Sequence, residues 1–308
     1  MKLRRARSLA FAAVLSALLV LSVAFYWPIQ EAYHPLNLDW NGCSRIANTT
    51  QNATLLLSYD RPLPNATSLL AIVGPSIDFT RDESFKIGKF LEGGGVVLLA
   101  DDFGTGNSLL GGLNVSALFS KKPLADLYYY SIDRRFPLIT DFSPSPATDN
   151  LTAIVLNRPS YIEMGNSSLV TAIGWSSSFS FIDYRGEGKL LSNETIGSYP
   201  VMVSMNIGKG TLFLLADPSM FINDMIGLYD NMQLFQNVLK MGDGSVIFDT
   251  AHLARAPLTN WRIMLKDGFN SLRLGKESMY IPLLVVMILV LSFSFQLLRL
   301  TRSQKVAK

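Results

Sequence analysis

The stretch LLAIVGPSIDFTRDESFKIGKFLEGGGVVLLADD, residues 69–102, decides the fold class. Leu69–Val73 is a continuous apolar run that stops at Gly74-Pro75, the pattern of a strand buried on both faces that feeds a loop. Thr80-Arg-Asp-Glu83 has capping-box spacing, in which the Thr hydroxyl and the Glu carboxylate each satisfy a free amide in a first helical turn. Phe85, Ile87, Phe90 and Leu91 give that helix an apolar face, and Gly93-Gly94-Gly95 ends it. Val96–Ala100 is a second buried run. Strand, helix and strand with continuous apolar runs predict a parallel βαβ unit.

The pattern resumes downstream. Val201–Asn206 and Thr211–Ala216 flank Ile207-Gly-Lys-Gly210, which reads as a hairpin connection. Asp217-Pro218-Ser219 predicts a helix start with Asp as cap and Pro in the first position. Asp230-Asn231 opens another helix with Leu234, Phe235, Val238 and Leu239 on one face, and Ser245–Phe248 is a last strand ending in Asp249. Between these blocks, residues 123–198 carry strand-like pieces, Thr152–Leu156 and Leu169–Ile173, separated by Ser-, Pro-, Gly- and Asn-rich turns. The expected fold is an α/β domain over 37–256, a flavodoxin-like mixed sheet with a β-rich insertion at 123–198.

The two ends read differently. Residues 8–27 and 279–298 are apolar runs near the ~20 residues needed to span a bilayer as a helix. Lys2, Arg4, Arg5 and Arg7 precede the first, and Arg299, Arg302, Lys305 and Lys308 follow the second. The positive-inside rule then predicts a cytoplasmic 1–7, an extracytoplasmic domain and a cytoplasmic tail 299–308, with the chain in the cell membrane. A cleaved signal peptide ending near Ser22-Val23-Ala24 is the alternative for the first run. Residues 257–278 interleave Trp261, Met264, Leu265, Phe269 and Leu272 with Arg262, Lys266, Arg273 and Lys276, as an amphipathic juxtamembrane segment would. Sequons at Asn48, Asn52, Asn65, Asn114, Asn150, Asn166 and Asn193 all fall between the apolar runs and predict N-glycosylation of an exported domain. The formal charge of +3 resides largely in the tails, so no nucleic-acid partner is expected. The single cysteine, Cys43, excludes an internal disulfide.

Three predicted strands end in aspartate, at Asp101-Asp102, Asp217 and Asp249. Ligands of open α/β sheets collect beyond the carboxyl ends of the strands. With Asn107, Asn223 and His252 nearby, such an edge suits a divalent cation or a polar, hydroxyl-bearing ligand. The bland reading makes Asp217 and Asp230 helix caps and Asp101-Asp102 a turn. Gly93–Gly95 precedes a strand, so it is no phosphate loop. Neither a Gly-X-Ser-X-Gly elbow nor a His-Glu-X-X-His motif occurs, and no catalytic residue or cofactor is assigned.

Ala71-Ile-Val-Gly-Pro75, the Gly93–Asp102 block with Gly104, Gly106 and Asn107, Gly208-Lys-Gly with Leu-Ala-Asp-Pro218, Asn223 and Asp230-Asn231, and Val246-Ile-Phe-Asp249 with His252 form an ordered set. The set resembles an uncharacterised prokaryotic, chiefly archaeal, membrane-protein family with a class I glutamine amidotransferase-like domain. The resemblance implies an amidotransferase-like fold. The family's enzymatic cousins carry a Cys elbow where this chain has Asp101-Asp102-Phe-Gly104, so it implies no amidotransferase chemistry. Thr250 stands where members often carry an acidic residue. The resemblance further implies protein partners in an envelope complex, linked to a MoxR-type ATPase system. The resulting expectation is a membrane-anchored, non-catalytic domain binding a protein partner or polar ligand. The alternatives are a glycan- or peptide-acting hydrolase or transferase using Asp101, Asp102 and Asp217, and a transport accessory subunit.

Overall fold

The computed structural model describes residues 28–50, 52–63, 67–165 and 170–254, with isolated positions at 11, 12, 14–16, 18, 19, 22 and 259. The chain divides into two units, Ile29–Ala254 and a second made of Met1–Pro28 with Arg255–Lys308. The first unit carries the fold described below.

It begins with a short helix α1 (Ser44–Asn48) and a strand β1 (Ala53–Leu56). The βαβ unit follows as β2 (Leu69–Val73), α2 (Arg81–Glu92) and β3 (Val96–Ala100), with β2 and β3 parallel and every residue of both buried. The capping box forms: Glu83 N–H donates to Thr80 Oγ1 at 3.3 Å, and Thr80 N–H donates to Glu83 Oε2 at 2.8 Å. Ile87, Phe90 and Leu91 are buried, but Phe85 is 63% exposed. Ser84, Ile87 and Leu91 share the inner stripe by i, i+3, i+7 spacing, which turns Phe85 out beneath the Lys89 ammonium, 5.5 Å from its ring.

After α3 (Gly106–Gly112) comes β4 (Ala117–Phe119), and the insertion then supplies β5 (Leu124–Asp126), β6 (Leu138–Ile139), β7 (Asp141–Phe142), β8 (Ile154–Val155), β9 (Ile162–Met164), β10 (Val170–Trp175) and β11 (Ser180–Ile182). Three two-stranded ribbons, β4–β9, β5–β11 and β6–β8, sit beside the main sheet, whereas β7 and β10 join it. The hairpin β12 (Pro200–Ile207) and β13 (Gly210–Leu215), the helix α4 (Asn231–Lys240) and the strand β14 (Val246–Asp249) complete the unit.

The main sheet has eight strands in the order β1-β14-β2-β3-β13-β12-β10-β7. The first five are mutually parallel, and β12, β10 and β7 continue antiparallel. Two expectations are corrected here. The parallel strands, taken in chain order among themselves, run 1-5-2-3-4, whereas a flavodoxin-like sheet runs 2-1-3-4-5. The connection through α4 carries β14 back past β3 and β2 to lie beside β1, an insertion that no local pattern in the sequence announces. The second correction concerns the membrane. Among the described residues no helix is long and apolar enough to cross one. The longest, α2, has 12 residues and rises only about 18 Å at 1.5 Å per residue, against a ~30 Å hydrocarbon core. The described residues therefore give no support to the two flanking spans or to the two-span membrane location built on them. Of those segments, 279–298 and the juxtamembrane 257–278 lie outside the described residues apart from Thr259, and 8–27 is described only at scattered positions.

Two asparagines and an aspartate tie the layers together. Asp230 does not cap α4; its carboxylate accepts from Thr152 N and Oγ1, both at 2.7 Å, and Ala153 N at 3.0 Å, anchoring the insertion. Asn231 pairs with both backbone groups of Val155, each at 3.0 Å. The segment 29–43 is clamped by the buried Asn223, whose amide donates to the carbonyls of Asn37 and Asp39 and accepts from Ser44 Oγ and Arg45 N. His34 is buried within that segment, and its Nδ1 accepts from Leu36 N at 3.1 Å.

Candidate ligand cleft at the carboxyl edge

The parallel strands β14, β2, β3 and β13 present their carboxyl ends to one edge. At the end of β2, Gly74 adopts φ +60, and the Tyr33 ring lies so close that an added Cβ would stand 2.3 Å from Cδ2. Only glycine fits both the left-handed backbone and that approach. Tyr33 itself has φ 61, and its hydroxyl hydrogen-bonds to Ser219 Oγ at 3.0 Å. The segment that precedes α1 thus forms one wall over the strand ends.

The aspartates at the edge have different uses. Asp101 is buried, and its carboxylate accepts from Gly104 N at 2.9 Å and Gly106 N at 2.8 Å, closing the turn into α3. Asp217 is also buried; it accepts from Asn157 N at 2.6 Å and Ser219 N at 2.7 Å, the latter opening a short 3-10 turn where a helix was expected. Asp102 takes Phe103 N at 2.6 Å and lines a cleft of about 450 Å³. Tyr33, Trp40, Phe103, Asn157, Arg158 and Ser219 line the same cleft.

Electrostatics separate the three carboxyls further. Burial pushes Asp217 well above the ordinary carboxylate range, and the neighbouring Asp102 charge pushes the same way. Burial, with the Asp101 charge adding to it, raises Asp102 to about 7 despite the Phe103 amide. Asp101 is raised by burial as well, though the Gly106 and Gly104 amides pull against it. Tyr33 is raised by burial, and Asp102 and Asp217 add to the effect. Around neutrality the cleft therefore offers one carboxyl group, Asp102, poised between its acid and its base form, with a second, Asp217, held by burial well above the ordinary carboxylate range.

Asp249 and His252 do not reach this cleft's lining. They form a clasp of their own beside β14. His252 is buried, with Nδ1 2.7 Å from Asp249 Oδ2 and Nε2 3.6 Å from Glu83 Oε2. Tyr59 Oη donates to the same Asp249 oxygen at 3.1 Å, and the imidazole stacks on Phe79 with centroids 3.6 Å apart. Burial raises the Glu83 carboxyl, but the Thr80 hydroxyl and amide and His252 outweigh it and leave Glu83 below the ordinary range. Burial, aided by the Asp249 charge, raises Tyr59 strongly. The clasp pins the end of β14 to the start of α2.

Of the seven ligand candidates, Asp102 alone lines the cleft, and Asp217 lies in electrostatic reach of it. Asn107 pairs with the backbone N and O of Phe119 at 2.8 and 2.9 Å, and Asn223 is consumed by the segment it clamps. Among the described residues no group of three His, Cys, Asp or Glu could hold a metal ion. Tyr33, Trp40, Asn157 and Arg158 were missed in the sequence, because they come from segments without a strand or helix pattern. The aromatic Tyr33 and Trp40 in an otherwise polar stretch were the one visible cue. Cys43 is buried, which raises its thiol. Five sequon asparagines, Asn48, Asn52, Asn114, Asn150 and Asn193, are exposed; Asn65 and Asn166 lie outside the described residues.

A family model described as a domain of unknown function, DUF4350, matches residues 35–239. The chain belongs to the DUF4350 family. The DUF4350 match takes in Trp40, Asp102, Asn157, Arg158 and Ser219 of the cleft, and leaves out Tyr33 and the Asp249–His252 clasp. It carries neither the membrane nor the amidotransferase-like part of the resemblance read from the sequence. No curated protein matches the chain. Among solved structures, the N-terminal domain of mmIFT52 is similar at 19% identity and a TM-score of 0.44, covering 57% of this chain and 78% of that one. The cytoplasmic protein STM3548 from Salmonella typhimurium is similar at 11% identity and 0.36, covering 66% and 80%. The exo-beta-1,4-mannosidase Op5Man5 from Opitutaceae bacterium strain TAV5 is similar at 13% and 0.36, covering 75% of this chain and 36% of that one. None of these likenesses assigns a role to this chain.

Proposed function

We propose that this DUF4350 chain is a binding module, not an enzyme, and that it takes a small polar ligand in the cleft at the carboxyl edge. The observation that carries this reading is the division of labour among the aspartates. Asp101 and Asp217 spend their oxygens on backbone amides, and Asp102 alone among the edge carboxyls lines the cleft. Acid–base hydrolysis of glycans or peptides calls for two groups that both reach the substrate, and here one does. The amidotransferase-like resemblance adds nothing to this proposal, since the position after β3 carries Asp101-Asp102-Phe103-Gly104 and no thiol.

The test is a thermal-shift and tryptophan-fluorescence screen of the full chain against sugars, polyols, divalent cations, amines, carboxylates and amino acids. Trp40 is 63% exposed on the cleft wall, so an occupant changes its emission. A ligand at a hundred times its Kd stabilises the fold by about 2.7 kcal/mol. The reading expects one chemical class to bind the wild type and to lose affinity in Asp102→Asn. Turnover of a glycan or peptide that disappears in Asp102→Asn would overturn it in favour of a hydrolase.

A further inference from the structure

Asp102 shares its cleft with a cation that the fold does not neutralise. Arg158 is exposed on the cleft wall, and among the described residues no carboxylate lies within 4 Å of its guanidinium. The acid whose titration it influences, Asp133, is already taken: Arg135 Nε donates to one of its oxygens at 3.0 Å and Nη2 to the other at 2.7 Å. Asp102 and Arg158 do not pair with each other either. An acid and a base therefore line one cleft of about 450 Å³ without closing into a salt bridge.

The backbone holds Arg158 where it is. Its φ is 52, its amide donates to Arg135 O at 2.7 Å, and Pro159 follows. A left-handed arginine costs about 1–2 kcal/mol, and so does the left-handed Tyr33 that lines the same cleft. Of the four described residues in this region that are neither Gly nor Asn, namely Tyr33, Lys121, Arg158 and Tyr229, two line this one cleft.

Resting on the cleft reading above, we infer that the ligand is a small zwitterion, a free α-amino acid or a dipeptide. Its carboxylate meets the Arg158 fork, which suits a planar anion by paired N–H donors. Its ammonium meets Asp102, where the rings of Tyr33, Trp40 and Phe103 add cation–π attraction. Asn157, on the same lining, adds neutral hydrogen-bonding capacity. The volume falls in the ordinary range for small-molecule sites and leaves room for a side chain or a second residue.

Isothermal titration of the full chain tests this with four probe sets: L-amino acids with alanyl-alanine, ethylamine, propionate, and neutral sugars. At least one zwitterion is expected to bind, with ethylamine and propionate at least tenfold weaker. Asp102→Asn and Arg158→Gln are each expected to weaken that zwitterion at least tenfold, and Arg158→Lys to recover part of the loss. Urea midpoints of the variants, measured alongside, separate lost affinity from lost folding. If a sugar or the amine alone binds and zwitterions do not, the zwitterion inference is overturned while the cleft reading stands. If no probe binds, both fall.

Discussion

Asp102→Asn is expected to stabilise the chain, and to do so increasingly as pH rises. In the folded chain burial, reinforced by the Asp101 charge, holds this carboxyl at about 7, against an ordinary value of 3.8. A raised folded value means that the native state keeps a proton the unfolded chain has released. The stability associated with that proton is fully present below about pH 3.8 and is lost as pH rises to about 7. At about 1.36 kcal/mol per pH unit, the mismatch amounts to about 2 kcal/mol at pH 5 and about 4 kcal/mol at pH 8.5. Asp102 keeps part of its side chain in water, and screening trims these figures to about half. Asparagine still accepts from Phe103 N and carries no charge. The variant should therefore gain about 1 kcal/mol at pH 5 and about 2 kcal/mol at pH 8.5. Urea unfolding of both proteins at the two pH values, followed by fluorescence with unchanged m-values, reads the difference directly. Removing the Asp102 charge also relieves its push on the buried Asp217, which acts in the same direction. A gain that does not grow with pH, or a variant less stable at pH 8.5 than at pH 5 relative to wild type, would refute a raised Asp102.

Three other substitutions probe the frame around the cleft. Gly74→Ala forces a Cβ against the Tyr33 ring at a left-handed φ, so it should cost about 2 kcal/mol and shift the Trp40 emission; urea unfolding and fluorescence check both. Asn223→Ala removes four hydrogen bonds from a buried amide and should cost about 3 kcal/mol in the same assay, with a loss below 1 kcal/mol counting against the clamp. Asp126→Ala strips the acceptor for Tyr128 N, Tyr129 N, Ser177 Oγ and Ser180 Oγ. Amide exchange of residues 127–138 should accelerate well ahead of the strands β2 and β3.

The parallel unit was readable because its strands are continuous apolar runs bounded by Gly74-Pro75 and the Thr80 capping box, signals that act over a few residues. Strand order was not, since the position of β14 between β1 and β2 depends on where α4 packs. The helical face failed at Phe85 for a related reason. Ser84 takes the inner position by donating its hydroxyl to Thr80 O at 2.9 Å, an outcome that hydropathy alone does not foresee. Asp230 was read as a cap because caps are local, whereas its true partners, Thr152 and Ala153, lie some 78 residues away.

The edge aspartates show why residue type at a strand end does not by itself make a site. Asp101 is followed by Gly104 and Gly106, whose backbones can approach closely enough to fill both carboxylate oxygens. Any Cβ at those positions would collide with the same carboxylate, at 2.5 and 2.8 Å. Asp102 has one amide within reach and an open cleft beyond it, so its charge is left to be met from outside. Several features unfavourable to stability meet at that opening: a raised Asp102, a buried Asp217 whose carboxyl is held well above the ordinary range, and left-handed Tyr33 and Arg158 on the walls. Elsewhere in the unit comparable groups, such as Asp126, Asn223 and Asp249, have their partners inside the fold. Left-handed backbone also occurs at Lys121 and Tyr229, away from the cleft lining. It is therefore the conjunction of a raised carboxyl open to the cleft with strained walls that sets this edge apart, a conjunction that a binding cleft requires and a purely structural edge does not.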